Sequence, residues 1–230
     1  MLETINDIDW ANLEHAYGSA EDVPELITAL TSEDTETRKN AQRLLYIGPF
    51  HQGTVTSSLP YVVRFMIELL EHPAIPDKVW IIRYLARTCE ACNECIEIDL
   101  DSIPIFARKY VFSDDKGESK SVVQLCQELS NGQHIFTKLM NADFIDIRIS
   151  SLVLLVRLKC RDSTFKDSVA QLLLFESDEN IRAALVFCLG IMITYSDSSY
   201  LLVVKEIAGS LNESLFVRLA ASIALIHVLG

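Results

Sequence analysis

Arginine recurs at long, nearly regular intervals in this chain, each time behind an acidic or capping residue and at the head of a strongly apolar segment. The copies read Asp34-Thr-Glu-Thr-Arg38-Lys-Asn-Ala41, Asp178-Glu-Asn-Ile-Arg182-Ala-Ala184 and Ser214-Leu-Phe-Val-Arg218-Leu-Ala220, with a looser one at Asp143-Phe-Ile-Asp-Ile-Arg148-Ile-Ser150. Arg148, Arg182 and Arg218 stand 34 and 36 residues apart. That is the period of a helix pair that cannot bury its apolar face alone and stacks on the next pair. The expected architecture is all-α: a right-handed α-solenoid of about six antiparallel helix pairs, forming one domain over residues 1–230.

Composition agrees with a folded chain. Half of the 230 residues are apolar, with only eight Gly and six Pro, which excludes a disordered polymer. The longest apolar run, residues 183–194, is too short to span a bilayer. The N-terminus carries neither a basic segment nor an apolar one of the secretory kind, so no membrane association and a cytoplasmic location are expected. The six cysteines, at 89, 92, 95, 126, 160 and 188, fall mostly in apolar helical stretches and are expected as free thiols.

The formal charge of −12 is unevenly distributed. Ten Asp or Glu residues precede Arg38 with no Lys or Arg among them, whereas the remaining chain carries 22 acidic and 20 basic residues. A second acidic block runs from Glu90 through Glu94, Glu97, Asp99 and Asp101. A negative pole repels a phosphate backbone and attracts basic proteins, so nucleic acid is not an expected partner and a basic protein is.

Apolar spacings of three and four dominate the chain. They predict first helices near 22–31, 57–71, 102–112, 132–141, 165–176 and 199–209. Second helices are predicted near 35–47, 77–96, 119–130, 145–159, 179–194 and 214–229, with a short leading helix over 5–18. Asp22 before Pro24, Ser57 or Ser58 before Pro60, and Asp101 or Ser102 before Pro104 supply start signals. Residues 111–120, polar and charged from Ser113 through Lys120, predict a mobile loop or insertion. Residues 214–229 are apolar on nearly every face, so a second copy, a partner or further chain is expected to cover the last helix.

Three segments carry a resemblance. Trp10-Ala-Asn-Leu-Glu-His15-Ala-Tyr17-Gly18-Ser-Ala20-Glu-Asp22-Val-Pro24, then Arg38-x-x-Ala41, then His51-Gln52-Gly53-Thr54 resemble the N-terminal block of a bacterial group of HEAT-repeat proteins without an assigned activity. The rest resembles HEAT-like or armadillo-type superhelices, in which helix pairs stack through an Asp and Arg ladder. The chain departs from that pattern where Phe144 replaces the acidic residue four places before Arg148, and where 119–130 has no Arg.

Several constellations have two readings each. Arg38, Arg148, Arg182 and Arg218 form either a basic strip or, the better reading, structural hydrogen bonds to a neighbouring Asp or carbonyl. Cys89, Cys92 and Cys95 have metal-cluster spacing, yet on a helix their sulfurs fan across a wide arc, so they read first as packing residues and no metal or cofactor is expected. His15 and His51 flank helix ends, where they cap carbonyls or contact a ligand together with Tyr17 and Gln52. Gly18 and Gly53 read as positive-φ turns. Trp80, Arg83, Tyr84 and Arg87 share helical spacing; with Tyr46 they form either a partner-binding face or groove filling.

The expected function is a non-catalytic protein-interaction scaffold, in its sharper form an inhibitor or immunity-type protein that binds a basic partner. The alternative is a ligand-binding or lyase-type enzyme on the same scaffold, since HEAT-like proteins include bilin lyases and alkylpurine DNA glycosylases. No His-Glu-x-x-His, Gly-x-Ser-x-Gly or phosphate-cradling glycine loop occurs. A homodimer through 214–229 is the third expectation.

Overall fold

Trp10 sets the course of the first twenty residues. In the computed structural model, which describes residues 1–91, 116–158 and 163–229, its indole N–H donates to the Ile5 carbonyl at 2.7 Å. Its ring packs against Tyr61 and Phe65, with centroids 6.1 and 6.2 Å away. Two 3-10 turns, Ile5–Asp7 and Trp10–Asn12, carry the chain past it. A small antiparallel hairpin follows, β1 (Glu14–His15) against β2 (Gly18–Ser19), with Glu14 opposite Ser19 and His15 opposite Gly18. The leading helix expected over 5–18 is therefore absent. Satisfying a buried indole from Ile5 needs a tight turn, and Gly18 at φ +123° takes a conformation that no helix interior contains.

Eleven α-helices follow among the described residues: α1 (Val23–Ala29), α2 (Thr35–Ile47), α3 (Leu59–Glu71), α4 (Lys78–Thr88), α5 (Lys116–Asn131), α6 (Gln133–Leu139), α7 (Ile145–Arg157), α8 (Ser163–Phe175), α9 (Glu179–Met192), α10 (Ser198–Gly209) and α11 (Leu215–Leu229). The fold is all-α apart from the hairpin. A 3-10 turn, Cys89–Ala91, continues α4. Residues 116–120 open α5, where composition predicts a loop; the rest of that loop, the helix predicted over 102–112, and Cys92, Cys95 and Cys160 lie outside the described residues.

The capping residues explain where the helices start. Asp34 accepts from the Thr37 amide at 2.8 Å and the Thr37 hydroxyl at 2.6 Å, and Asp178 accepts from the Asn180 and Ile181 amides at 2.9 and 3.1 Å. The same hydrogen bonds from Thr37 hold the Asp34 carboxyl below its ordinary pKa. Asp22 and Ser58 stand at the caps of α1 and α3, but neither side chain bonds its helix. Pro in the first turn already removes one orphan N–H there.

The chain falls into two compact units, Met1–Ile135 and Phe136–Gly230, where the sequence alone suggests one domain. In the first unit α3 is the buried axis: nine of its thirteen residues are buried, and it packs against α1, α4 and α5. In the second unit α9 occupies that position, packed against both α7 and α11, while α8 and α10 touch each other and α9. No helix among the described residues is long and apolar enough to cross a membrane.

Candidate functional site

The periodic arginines do structural chemistry. Arg38 is 8% exposed; its Nε donates to Asp77 at 2.7 Å, and its Nη1 donates to the carbonyls of Ser32 and Glu33 at 2.9 and 2.8 Å. Arg148 donates to the Met140 carbonyl at 3.2 Å and pairs with Glu176. Arg182 grips both carboxylate oxygens of Glu213, the longer contact being 3.1 Å, and donates to the carbonyls of Leu173 and Glu176 at 2.5 and 2.9 Å. Each thus closes the turn before its own helix and reaches a carboxylate 28 to 39 residues later. Arg218 makes a single 3.5 Å contact, to the Ala208 carbonyl, among the described residues.

A shallow polar cleft of about 650 Å³ opens beside this ladder, lined by Glu176, Asp178, Arg182, Asn212, Glu213 and Val217. The carboxylate of Glu179, which also lines the cleft, is exposed; the others are already occupied. Glu176 accepts from Arg148 and from the amides of Ser177 and Asp178, Asp178 caps α9, and Glu213 is held by Arg182. The cleft is a product of the ladder.

The other candidate residues gather at the C-terminal end of α2, in the first unit. The hairpin docks there, with the Ala16 amide donating to the Gly48 carbonyl at 3.2 Å. The Tyr17 ring meets His15 and His51 edge-on, with centroids 6.2 and 5.8 Å away. The Tyr17 amide donates to His15 Nδ1 at 3.0 Å, which fixes the tautomer, so His15 Nε2–H donates to Asp22 at 3.0 Å. Both ring nitrogens are thereby engaged and neither has a lone pair to offer a reacting proton. His51 Nδ1–H donates to the Ile47 carbonyl at 2.9 Å, closing the end of α2; its Nε2 has no hydrogen-bond partner among the described residues. Gln52 at φ +51° and Gly53 at φ +85° turn the chain away. Tyr17 itself stays 66% exposed.

Tyr46, at the same helix end, is linked to Arg87 of α4: the guanidinium lies 5.4 Å from the ring centroid and donates to the phenol oxygen. Arg83 and Arg87 are exposed and Trp80 is half-buried. Tyr84 is a correction to the expected binding face. It is only 3% exposed; its ring lies tilted against Trp80 at 5.3 Å and meets Phe50 edge-on at 6.2 Å, and its hydroxyl donates to the Leu45 carbonyl at 3.2 Å. Burial, with a smaller contribution from Tyr46, pushes its pKa far above the ordinary phenol range. The buried arc of α4 spans Ile81, Ile82, Leu85, Ala86 and Thr88. Tyr84 falls on the edge of that arc, so its ring fills the groove beside Leu45.

All ten carboxylates that precede Arg38 are exposed: those of Glu3, Asp7, Asp9, Glu14, Glu21, Asp22, Glu25, Glu33, Asp34 and Glu36. Sequence reasoning gives their number but not their exposure, and it misses the hairpin that carries Tyr17.

Cys89 is buried and its thiol donates to the Leu85 carbonyl at 3.3 Å. Cys89, Cys126 and Cys188 form no disulfide among the described residues, and burial pushes the Cys188 thiol up to about 12. Among the described residues, no group of three or more His, Cys, Asp or Glu side chains is disposed to hold a metal ion. Of the metal candidates, Cys92 and Cys95 lie outside them.

No family model matches the chain, and no curated protein matches it. Among solved structures it aligns with the crystal structure of an engineered protein, Northeast Structural Genomics Consortium target OR329, at 16% identity and a TM-score of 0.40, over 90% of this chain and 96% of that one. A second engineered protein, target OR366, aligns at 15% identity and a TM-score of 0.38, over 91% and 99%. Likenesses this low carry no argument about fold or function.

Proposed function

We propose that the protein is a non-catalytic interaction module of stacked, HEAT-like helix pairs whose N-terminal face holds a basic segment of another protein, in the manner of an inhibitor or immunity-type protein. The observation that carries this reading is the surface of residues 1–37: ten exposed carboxylates and not one Lys or Arg. Tyr17 adds a recognition element. Its ring, two-thirds exposed and braced edge-on by His15 and His51, is a platform on which a lysine or arginine gains cation–π attraction while nearby carboxylates receive its charge. Opposed charge gives such a complex a fast, salt-sensitive association. The arginine ladder supports the stacking half of the proposal, since the guanidiniums of Arg38, Arg148 and Arg182 each close their own turn and reach the helix pair that follows.

The test is capture from source-cell lysate with the wild-type chain and with a folded Tyr17→Ala, Glu14→Lys, Glu21→Lys, Glu25→Lys variant, at about 50 mM and about 500 mM salt. A partner with a basic surface, retained by wild type at low salt and lost in high salt or with the variant, is the expected result. A partner retained equally by both chains would falsify the assignment of this face.

A further inference from the structure

The face of α11 turned away from α9 and α10 is apolar apart from Ser222 at its middle. Val217, Ala221 and Ala224 point inward and are buried. Opposite them Leu215 is 79% exposed, Phe216 51%, Leu219 54%, Ile223 45%, Ile226 72% and Leu229 51%. Leu215, Leu219, Ser222, Ile226 and Leu229 follow one another at spacings of four, three, four and three, the seam of a helix that packs on another helix. Ser222 at the middle is small, and its hydroxyl already donates to the Arg218 carbonyl at 2.8 Å. It leaves no unsatisfied group when covered.

We infer that this seam is the interface of a homodimer, formed by α11 packed antiparallel on α11 of a second copy about a two-fold axis near Ser222. Three observations select a second copy as the occupant. The seam is apolar on both sides of Ser222, so an antiparallel contact about that point matches apolar to apolar along its length; the axis sets Leu219 of each chain against Ile226 of the other. The six exposed side chains, with Leu211 at 87%, offer on the order of 800 Å² per copy, the size of a stable interface. Charge does not oppose the contact: residues 136–230 hold nine Lys or Arg and ten Asp or Glu, and α11 holds no carboxylate. The second unit therefore brings almost no net charge of its own to the contact.

The experiment is sedimentation equilibrium from about 1 to 200 µM on wild type, Leu219→Lys, Ile226→Glu and an equimolar mixture of the two variants. Both positions are more than half exposed, so the variants keep the fold, which circular dichroism checks. The expected result is a wild-type dimer, dissociation constants raised at least about 100-fold in each variant alone by an unpaired charge in the contact, and a dimer restored in the mixture, where the introduced lysine of one chain meets the introduced glutamate of the other. Wild type that stays monomeric overturns the inference. So does a dimer that survives in both single variants, which puts the contact elsewhere, or a mixture that fails to associate, which rejects the antiparallel register.

Discussion

Gly190 and Ala224 hold α9 and α11 together at a point where there is no room for another atom. A Cβ built on Gly190 overlaps the Ala224 methyl and stands 2.9 Å from the Ala224 Cα. Gly190→Ala gains about 1 kcal/mol of helix propensity, but the forced separation of two packed helices costs more. A net loss of about 2 kcal/mol is expected. The loss is read in a far-UV circular dichroism melt, and Ala224→Gly in the same chain recovers part of it. Both tryptophans, Trp10 and Trp80, belong to the first unit. Their fluorescence therefore reports a signal that Gly190→Ala leaves unchanged where the units unfold separately.

Arg182 and Arg218 occupy equivalent positions in the sequence pattern but not in energy. Removing the Arg182 side chain orphans two carbonyls and a Glu213 carboxylate that is mostly buried. A cost of about 2–4 kcal/mol is expected for Arg182→Ala. Arg218→Ala gives up one 3.5 Å contact and is expected to cost under about 1 kcal/mol. Urea midpoints of the two variants decide whether the ladder weakens toward α11.

Acid is expected to act on the second unit through Glu176 and Asp197. Burial raises the Glu176 pKa, but the Asp178 amide, the Arg148 guanidinium and the Ser177 amide outweigh it and hold the carboxyl below the ordinary glutamate range. Lys166, then the Thr194 amide, do the same for Asp197. For a depressed carboxyl the unfolded chain binds protons first. The stabilisation is therefore whole above the ordinary carboxylate pKa and is lost as pH falls from there through the lower folded value. Glu176→Gln keeps an oxygen for the amides and loses the ion pair. It should lower the urea midpoint at pH 7 and leave a flatter decline toward pH 3.

Phe144 is the N-cap of α7, 72% exposed and without a side-chain hydrogen bond to the helix. Asp34 and Asp178 do cap α2 and α9. Phe144→Asp is expected to stabilise the chain by about 1 kcal/mol, seen as a higher melting temperature. No change, or a lower one, means the aromatic ring makes a contact worth as much as the missing cap.

The helices are legible because burial writes itself into spacing: α2 falls where the apolar periodicity puts it, α3 starts two residues late and α9 ends two residues short. The arginine ladder is half legible. Its guanidiniums announce themselves by period, whereas Asp77, Glu176 and Glu213 share no local signature and are fixed only by which turn packs on which. Tyr84 and Trp80 show a further limit. At helical spacing, residues one turn apart lie at the edge of the same face, and only the neighbour across the groove decides that Tyr84 turns inward. The hairpin of Glu14 to Ser19 escapes notice because Trp10 and Gly18 each act through one contact or one dihedral, with no periodic signal.

The direction of the ladder gives protein synthesis a part in folding. Every guanidinium leaves the ribosome ahead of its carboxylate: Asp77 trails Arg38 by 39 residues, Glu176 trails Arg148 by 28, and Glu213 trails Arg182 by 31. A newly made helix pair waits for its successor before its arginine is neutralised, a lag on the order of a few seconds at typical elongation rates. Maturation then follows translation at a distance of one pair. A premature stop harms the pair before the break as well as the pair it removes.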